Sequence, residues 1–345
     1  SYFEDTRSMQ YFTYAGSKES FMPFVNMNFM SGVLMSIAFC FLTWFSRRED
    51  YPSLVNPNSI YSVLVKYGLP IISIVLTYGV AKFEIDTWLE NIYQSTAVVV
   101  NGKTGASPEY YYNEKWNHYR MLFDIAYSMV YALLLYFVNR SKLKNKELNV
   151  VFLVISGVST LLFFTGGLYQ LSVLREIYLH PSSNYSVIEG FNLWLRYPLI
   201  ILALFTLYSF LNAIEFSFVQ WKNKLQPELI YAIAAVWLLS SEWLNWSDIF
   251  DIAWSYKLGL SILWGVCSLA LIVRGIFKRI KLLRLLAIGL FGITLVKLFF
   301  YDIASLSTIL KTVVFIALGV LLLIISFLYN KYGLTIFKDD ESSEN

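Results

Sequence analysis

The stretch LVKLFFYDIASLSTILKTVVF, residues 295–315, joins two long apolar segments and decides the fold. A membrane-spanning helix needs about 20 mostly apolar residues, and the flanking segments at 283–301 and 308–329 each come close to that length. The connection between them is short, so we predict that the two helices form a membrane hairpin. Three charged residues interrupt this hairpin: Lys297, Asp302 and Lys311.

The composition of the whole chain agrees with a membrane protein. Of its 345 residues, 57% are hydrophobic and only 15% are charged, whereas a soluble domain has about 25% charged residues. We therefore predict an all-α integral membrane protein with about nine transmembrane helices. The predicted spans lie at about 28–46, 62–82, 117–138, 149–171, 193–213, 228–247, 256–275, 283–301 and 308–329.

The basic residues between the spans predict the orientation. Lys and Arg accumulate in the cytoplasmic loops of membrane proteins, and here fifteen follow odd-numbered spans while four lie on the other side. The N-terminus is therefore predicted to lie outside and the C-terminus in the cytoplasm. The fifteen residues are Arg47, Arg48, Arg140, Lys142, Lys144, Lys146, Lys222, Lys224, Arg274, Lys278, Arg279, Lys281, Arg284, Lys331 and Lys338; the four are Arg7, Lys18, Lys103 and Lys115.

The spans divide the chain into three parts. Residues 1–27 form an outer N-terminal segment, 28–330 a polytopic helical membrane domain, and 331–345 a cytoplasmic tail. The chain begins at Ser1 and shows no signal sequence, so we expect either a fragment of a longer protein or a processed product.

The predicted helices pair as hairpins that turn on the outer side, and every turn has the same charge pattern. One helix ends in an acid and its partner begins with a base. Helix dipoles disfavour an acid at a C-terminus and a base at an N-terminus, so pairing across the turn relieves both conflicts. We expect four structural ion pairs: Glu90–Arg120, Glu176–Arg196, Asp248–Lys257 and Asp302–Lys311.

Further charges lie near these pairs and are candidates for a polar cavity that opens to the outer leaflet. Lys297 and Asp302 are five residues apart and do not share a helix face. Lys297 therefore either extends to the interface or meets a carboxylate of another helix, for which we predict Glu242. Asp124 is four residues from Arg120, a spacing that lets them bond on one helix face. Charges in membrane segments are functional candidates by default; here they are Lys297, Glu242, Arg120, Asp124, Arg175 and Lys82.

Several kinds of chemistry find no support in the sequence. The two cysteines, Cys40 and Cys267, lie in separate spans, and the chain has two histidines, so we predict neither a metal site nor a cofactor. No phosphate-binding glycine spacing occurs. The net charge of +3 is too small to suggest nucleic acid.

Two segments resemble a known family. LLRLLAIGLFGITLVKLFFYDIASLSTILKTVVFIALGVLLLIISFLYNKYG and NMNFMSGVLMSIAFCFLTWFSRRED are similar to helices of a family of large bacterial predicted multi-pass membrane proteins, catalogued as a domain of unknown function. The resemblance implies that this chain is the C-terminal part of such a protein in the bacterial inner membrane. It implies no activity, so Lys297 and Asp302 match the family pattern without a role.

Three functions remain open on the sequence alone. The first, which we favour, is a non-enzymatic protein that handles or transports a lipid- or glycan-linked envelope molecule through the outer polar cavity. The second is a membrane scaffold or assembly subunit. The third, least favoured, is a membrane-embedded glycosyl- or acyltransferase with a carboxylate such as Glu242 or Asp302. The expected partners are membrane lipids, with other membrane subunits or a missing N-terminal part of the chain as further candidates.

Overall fold

The computed structural model describes the greater part of the chain. The described residues are 23–46, 61, 64–100, 109–180, 191–216, 227–252 and 258–302, with the short stretches 308–309, 311–313, 315–316, 319–320, 322–324 and 326–327. The chain divides into two compact units, Ser1–Ser217 and Phe218–Asn345.

The first unit contains seven described helices. They are α1 (Met27–Ser46), α2 (Leu69–Ser95), α3 (Lys115–Val138), α4 (Lys146–Leu162), α5 (Leu168–Leu179), the short α6 (Phe191–Trp194) and α7 (Arg196–Phe216). The second unit contains α8 (Pro227–Ile249), α9 (Leu260–Phe277) and α10 (Lys281–Lys297). π-helical turns adjoin several of them, at Leu64–Gly68, Asn139–Leu143, Phe163–Gly167 and Leu298–Asp302.

Six described helical segments are long and apolar enough to cross a membrane by length and composition. This confirms a membrane protein built from several apolar helices. The longest of these segments includes α4, the following π-helical turn and α5 in one helix. The segments are Met27–Ser46, Val65–Ser95, Lys115–Leu143, Lys146–Leu179, Arg196–Ile214 and Leu260–Phe277.

The expectation of an all-α chain needs one correction. Between α2 and α3, strands β1 (Val98–Val100) and β2 (Glu109–Tyr111) pair antiparallel, with Val99 opposite Tyr110. β-branched valines and aromatic tyrosines favour strands, which explains why this connection is not a plain loop.

Packing in the first unit centres on α3. This helix contacts α2, α4, α5 and α7, and its apolar face is buried around Met129 and Ala132. At one end of that face, Tyr136 packs with Phe152 of α4 and Ala213 of α7. The α2–α3 hairpin is therefore attached firmly to the rest of the unit.

In the second unit, α8, α9 and α10 all contact one another. Ala232 of α8 packs against Ile280 and Leu283. The α9–α10 connection is tight, because a Cβ at Gly275 would lie 2.7 Å from Cγ of Arg284.

Helix α2 is longer than a membrane requires. Its 27 residues span about 40 Å at 1.5 Å per residue, whereas the hydrocarbon core is about 30 Å thick. The second predicted span, 62–82, therefore ends well before the helix does. The additional residues carry the charged groups of the candidate site.

Candidate functional site

A cluster of one base and two acids joins α2 to α3. The Lys82 ammonium lies 2.5 Å from Oδ2 of Asp86, one turn further along α2. It also lies 2.9 Å from Oδ1 of Asp124 on α3. The three side chains are 20%, 21% and 33% exposed, respectively. This Lys82 cluster (Lys82, Asp86 and Asp124) is therefore partly buried but still accessible.

The charges in the Lys82 cluster do not balance. One ammonium serves two carboxylates, so the cluster has a net charge of −1 when all three groups are ionised. Oδ1 of Asp86 is buried and has no hydrogen-bond partner among the described residues, whereas Oδ1 of Asp124 lies in the ion pair with Lys82. A buried polar atom without a partner costs about 1–3 kcal/mol. The Asp86 carboxylate therefore has capacity for a further hydrogen bond.

A second ion pair lies nearer the turn of the same hairpin. Nη1 of Arg120 donates to Oε2 of Glu90 at 2.8 Å, and the other oxygen of Glu90 accepts from Gln94 at 2.7 Å. Glu90 and Arg120 are the pair that the charge pattern predicted at this turn. Arg120 and Asp124 share α3, but each contacts a residue of α2.

The buried Glu84 adds a carboxylate that sequence reasoning missed. Its side chain is fully buried, and Oε1 accepts from the backbone N–H of Phe24 at 3.0 Å and from the Asn26 side chain. The Asn26 side chain in turn accepts from the backbone N–H of Phe29 at 2.7 Å, which caps the first turn of α1. Glu84 thus fastens the start of α1 to α2. The sequence feature that could have predicted this carboxylate is the run KFEID, residues 82–86, which places Glu84 in a mainly apolar helix.

Hydroxyl groups continue the polar contacts between α2 and α3. Tyr131 on α3 donates to the backbone carbonyl of Ile74 at 2.9 Å and lies 2.8 Å from Oγ1 of Thr77. One turn closer to the Lys82 cluster, Tyr78 lies 2.9 Å from Oγ of Ser128. Interhelical hydrogen bonds of this kind help to hold membrane helices together. These hydrogen bonds were not predicted from the sequence.

The structure does not bring together the second predicted pair. Glu176 is 62% exposed, and its described contact is with His180 at 3.7 Å. Arg196 is almost fully buried at the start of α7. Adjacent residues on a helix point about 100° apart, so burial of the candidate Arg175 turns Glu176 outward.

The candidates of the second unit are only partly described. Nζ of Lys297 donates to Oγ of Ser261 at 2.8 Å, which links α10 to α9. Glu242 lies half-buried on α8, and its contact with Lys297 stays a prediction. Of the predicted pairs here, Lys257 and the side chain of Asp302 lie outside the described residues, whereas Asp248 and Lys311 lie within them.

The described side chains do not include a metal-binding group. No cluster of three or more His, Cys, Asp or Glu that could hold a metal ion occurs among them. The candidate site consists of the charged side chains at the end of the α2–α3 hairpin: Lys82, Asp86, Asp124, Glu90 and Arg120.

Comparisons with known proteins agree with this picture of a helical membrane protein. Neither the curated proteins nor the solved structures contain a match to the chain. The family described as "Predicted membrane protein (DUF2339)", a domain of unknown function, matches residues 21–332. This match confirms the resemblance and extends it over nearly the whole sequence, so the chain belongs to the DUF2339 family of predicted membrane proteins.

Proposed function

We propose that this chain handles or transports a lipid- or glycan-linked envelope molecule whose polar headgroup binds at the Lys82 cluster. The observation that carries the proposal is the position of the Lys82 ammonium between the carboxylates of Asp86 and Asp124. Lys82 and Asp86 lie in one candidate membrane span, and Asp124 lies in the next. Charges in such segments are expensive and usually functional.

A phosphate that carries a sugar would use both kinds of group in the Lys82 cluster, once it takes the place of one carboxylate beside the ammonium. The Lys82 ammonium would bind phosphate oxygens as a charge-assisted hydrogen-bond donor. The carboxylates of Asp86 and Asp124 would accept hydrogen bonds from sugar hydroxyls. Because the cluster is partly exposed, a headgroup can reach it while the lipid chain stays beside the apolar faces of the helices.

The loop charges support an outer position for this site. A run of basic residues follows α3, at the end of that helix away from Asp124: Arg140, Lys142, Lys144 and Lys146. By the positive-inside rule that end faces the cytoplasm, so the Lys82 cluster faces the outer leaflet. We extend this to the full proposed topology of nine spans in a bacterial inner membrane, with the N-terminus outside and the C-terminus inside.

A scaffold subunit is the second candidate, and one observation favours it. The Lys82–Asp124 and Arg120–Glu90 contacts both join α2 to α3, which is also what purely structural ion pairs would do. A scaffold would need these charges for the hairpin alone and would not bind a headgroup there.

Binding of polyprenyl phosphate to the purified chain in detergent, followed by native mass spectrometry, separates the two candidates. Lys82→Gln should weaken binding by about tenfold or more, because a hydrogen bond to a charged group contributes about 1.5–3 kcal/mol. Lys66→Gln is the matched control, since Lys66 is exposed near the opposite end of the same helical segment. Equal binding by wild type and both variants, or no binding by any of them, would reject the headgroup site and leave the scaffold.

A further inference from the structure

The second unit contains an apolar groove that the Lys82 cluster does not explain. The groove has a volume of about 310 Å³ and lies between α8, α9 and α10. Its walls are almost entirely hydrocarbon. They include Val236, Trp237, Trp264, Leu271, Leu286 and Leu290.

The few polar atoms in this groove already bond to each other. Nε1 of Trp264 donates to Oγ of Ser240 at 2.8 Å, and that hydroxyl donates to the backbone carbonyl of Val236 at 2.7 Å. A polar ligand would therefore have to break a hydrogen bond to find a partner. An apolar ligand would enter the groove without breaking a hydrogen bond.

One of the three helices around the groove is a candidate membrane span. Helix α9 is long and apolar enough to cross the bilayer, and Trp237 on the groove wall is 44% exposed. A groove that opens on such a surface meets lipid hydrocarbon rather than water. Association inside a bilayer depends on close packing, and a groove lined by large side chains offers an acyl chain more packing contacts than a flat helix face does.

A cation lies near one end of the groove. Lys297 is seven residues beyond Leu290 on α10, about 10 Å along the helix, and its ammonium contacts Ser261, only one turn before Trp264 on α9. On α8, Glu242 follows Ser240 by two residues, so an acid lies toward the same end. A zwitterionic headgroup complements a base and an acid that lie toward the same end of a groove.

We propose that this groove binds one acyl chain of a zwitterionic glycerophospholipid, with the lipid phosphate at Lys297. The site belongs to the second unit and goes beyond the proposed function, because it uses none of the residues of the Lys82 cluster. Failure of one proposal therefore leaves the other standing.

The test uses phosphatidylethanolamine with a photoactivatable diazirine in its acyl chain. The full chain in detergent is illuminated with this lipid, and the labelled residues are mapped by mass spectrometry. Labels should concentrate on groove residues such as Trp237 and Leu290, above exposed residues outside the groove such as Val266 on α9. Equal labelling of groove residues and of exposed residues outside the groove would overturn the proposal.

A matched pair of variants checks the groove itself. Val236→Phe fills the groove and should lower the groove labelling by about threefold or more, because an acyl chain would overpack the space that the added ring occupies. Val266→Phe makes the same replacement on the exposed face of α9 and should leave the labelling unchanged. If the elution profile of Val236→Phe differs from that of wild type, the variant has not folded correctly, and Leu290→Phe is used in its place. Equal labelling in the groove and control variants would overturn the proposal.

A second pair checks the headgroup contact. Lys297→Gln removes the ammonium and should lower the groove labelling, whereas Ser261→Ala removes one hydrogen-bond partner of that ammonium and should preserve it. Loss of labelling in both variants would mean that the Lys297–Ser261 contact supports the helices, and would overturn the headgroup assignment. Labelling that survives in both would do the same.

Discussion

Lys82 on α2 lies 2.9 Å from Asp124 on α3, and this contact crosses the hairpin at a partly exposed position. The same ammonium contacts Asp86 at 2.5 Å. Lys82 is therefore shared between a partner on its own helix and one on the neighbouring helix. That sharing distinguishes the cluster from the simple Arg120–Glu90 pair nearer the turn.

Asp124→Asn should strengthen the binding of polyprenyl phosphate about fivefold. The change removes one negative charge near the expected phosphate position, and a like charge at about 4 Å opposes binding by about 1 kcal/mol even in a water-like environment. Lys82 retains Asp86 as its partner, so the hairpin should remain folded. Native mass spectrometry in detergent provides the measurement.

Asp251→Asn is the control for that prediction, because Asp251 is exposed beyond the end of α8 and should not affect binding. Weaker binding by Asp124→Asn would contradict the proposed role of Lys82. It would mean that the Asp124 carboxylate is required for binding and does not compete with the phosphate for the Lys82 ammonium.

Glu84→Ala should loosen the start of α1. The change removes the carboxylate that accepts from the backbone N–H of Phe24 and from the side chain of Asn26, at about 1–3 kcal/mol for a buried unsatisfied group. Amide hydrogen exchange at Phe24 and Phe29 should become about tenfold faster, because 1.4 kcal/mol corresponds to a factor of ten.

Glu90→Ala serves as the control on the same helix, because Glu90 contacts Arg120 and Gln94 rather than α1. Unchanged exchange at Phe24 in Glu84→Ala would show that this carboxylate does not hold the start of α1.

Tyr131→Phe should lower the free energy of unfolding by about 0.6–1.7 kcal/mol, the range for interhelical hydrogen bonds inside membranes. The Tyr131 hydroxyl contacts both Ile74 and Thr77. Tyr208→Phe is the matched control, because Tyr208 is exposed on α7. Unfolding in mixed micelles with increasing dodecyl sulfate measures both, and equal effects would mean that the Tyr131 hydrogen bonds contribute little.

Two glycine substitutions should change stability in opposite directions. At Gly275 an added methyl group would lie 2.7 Å from Cγ and 3.1 Å from the backbone N of Arg284, so Gly275→Ala should destabilise by about 1–3 kcal/mol through overpacking. At Gly289 nothing lies within 4 Å, and Gly289→Ala should stabilise α10 by up to about 1 kcal/mol. Thermal unfolding gives both signs, and stabilisation by Gly275→Ala would contradict the close α9–α10 approach.

Helix positions were largely predictable because apolar runs of membrane length are a strong signal. The first predicted span, 28–46, corresponds to α1 (Met27–Ser46), and the sixth, 228–247, to α8 (Pro227–Ile249). The β1–β2 hairpin was missed because three-residue strands leave too short a pattern to separate from a loop.

The candidate site was only partly predictable, because local charge patterns do not show which helix faces meet. The Glu90–Arg120 pair could be predicted, since any hairpin brings the end of α2 close to the start of α3. The roles of Asp86 and Glu84 depend on how α2 faces α3 and the start of α1, respectively. The rotation of α2 about its own axis decides which side chains face these neighbours, and it depends on packing along the whole helices.

A structure of the full chain in nanodiscs with polyprenyl phosphate would show whether Lys82 binds a headgroup. Electron cryomicroscopy should show a phosphate oxygen within about 3.2 Å of the Lys82 ammonium, in place of one of its two carboxylate contacts. A map in which Lys82 keeps both Asp86 and Asp124, with no headgroup density beside them, would contradict the account.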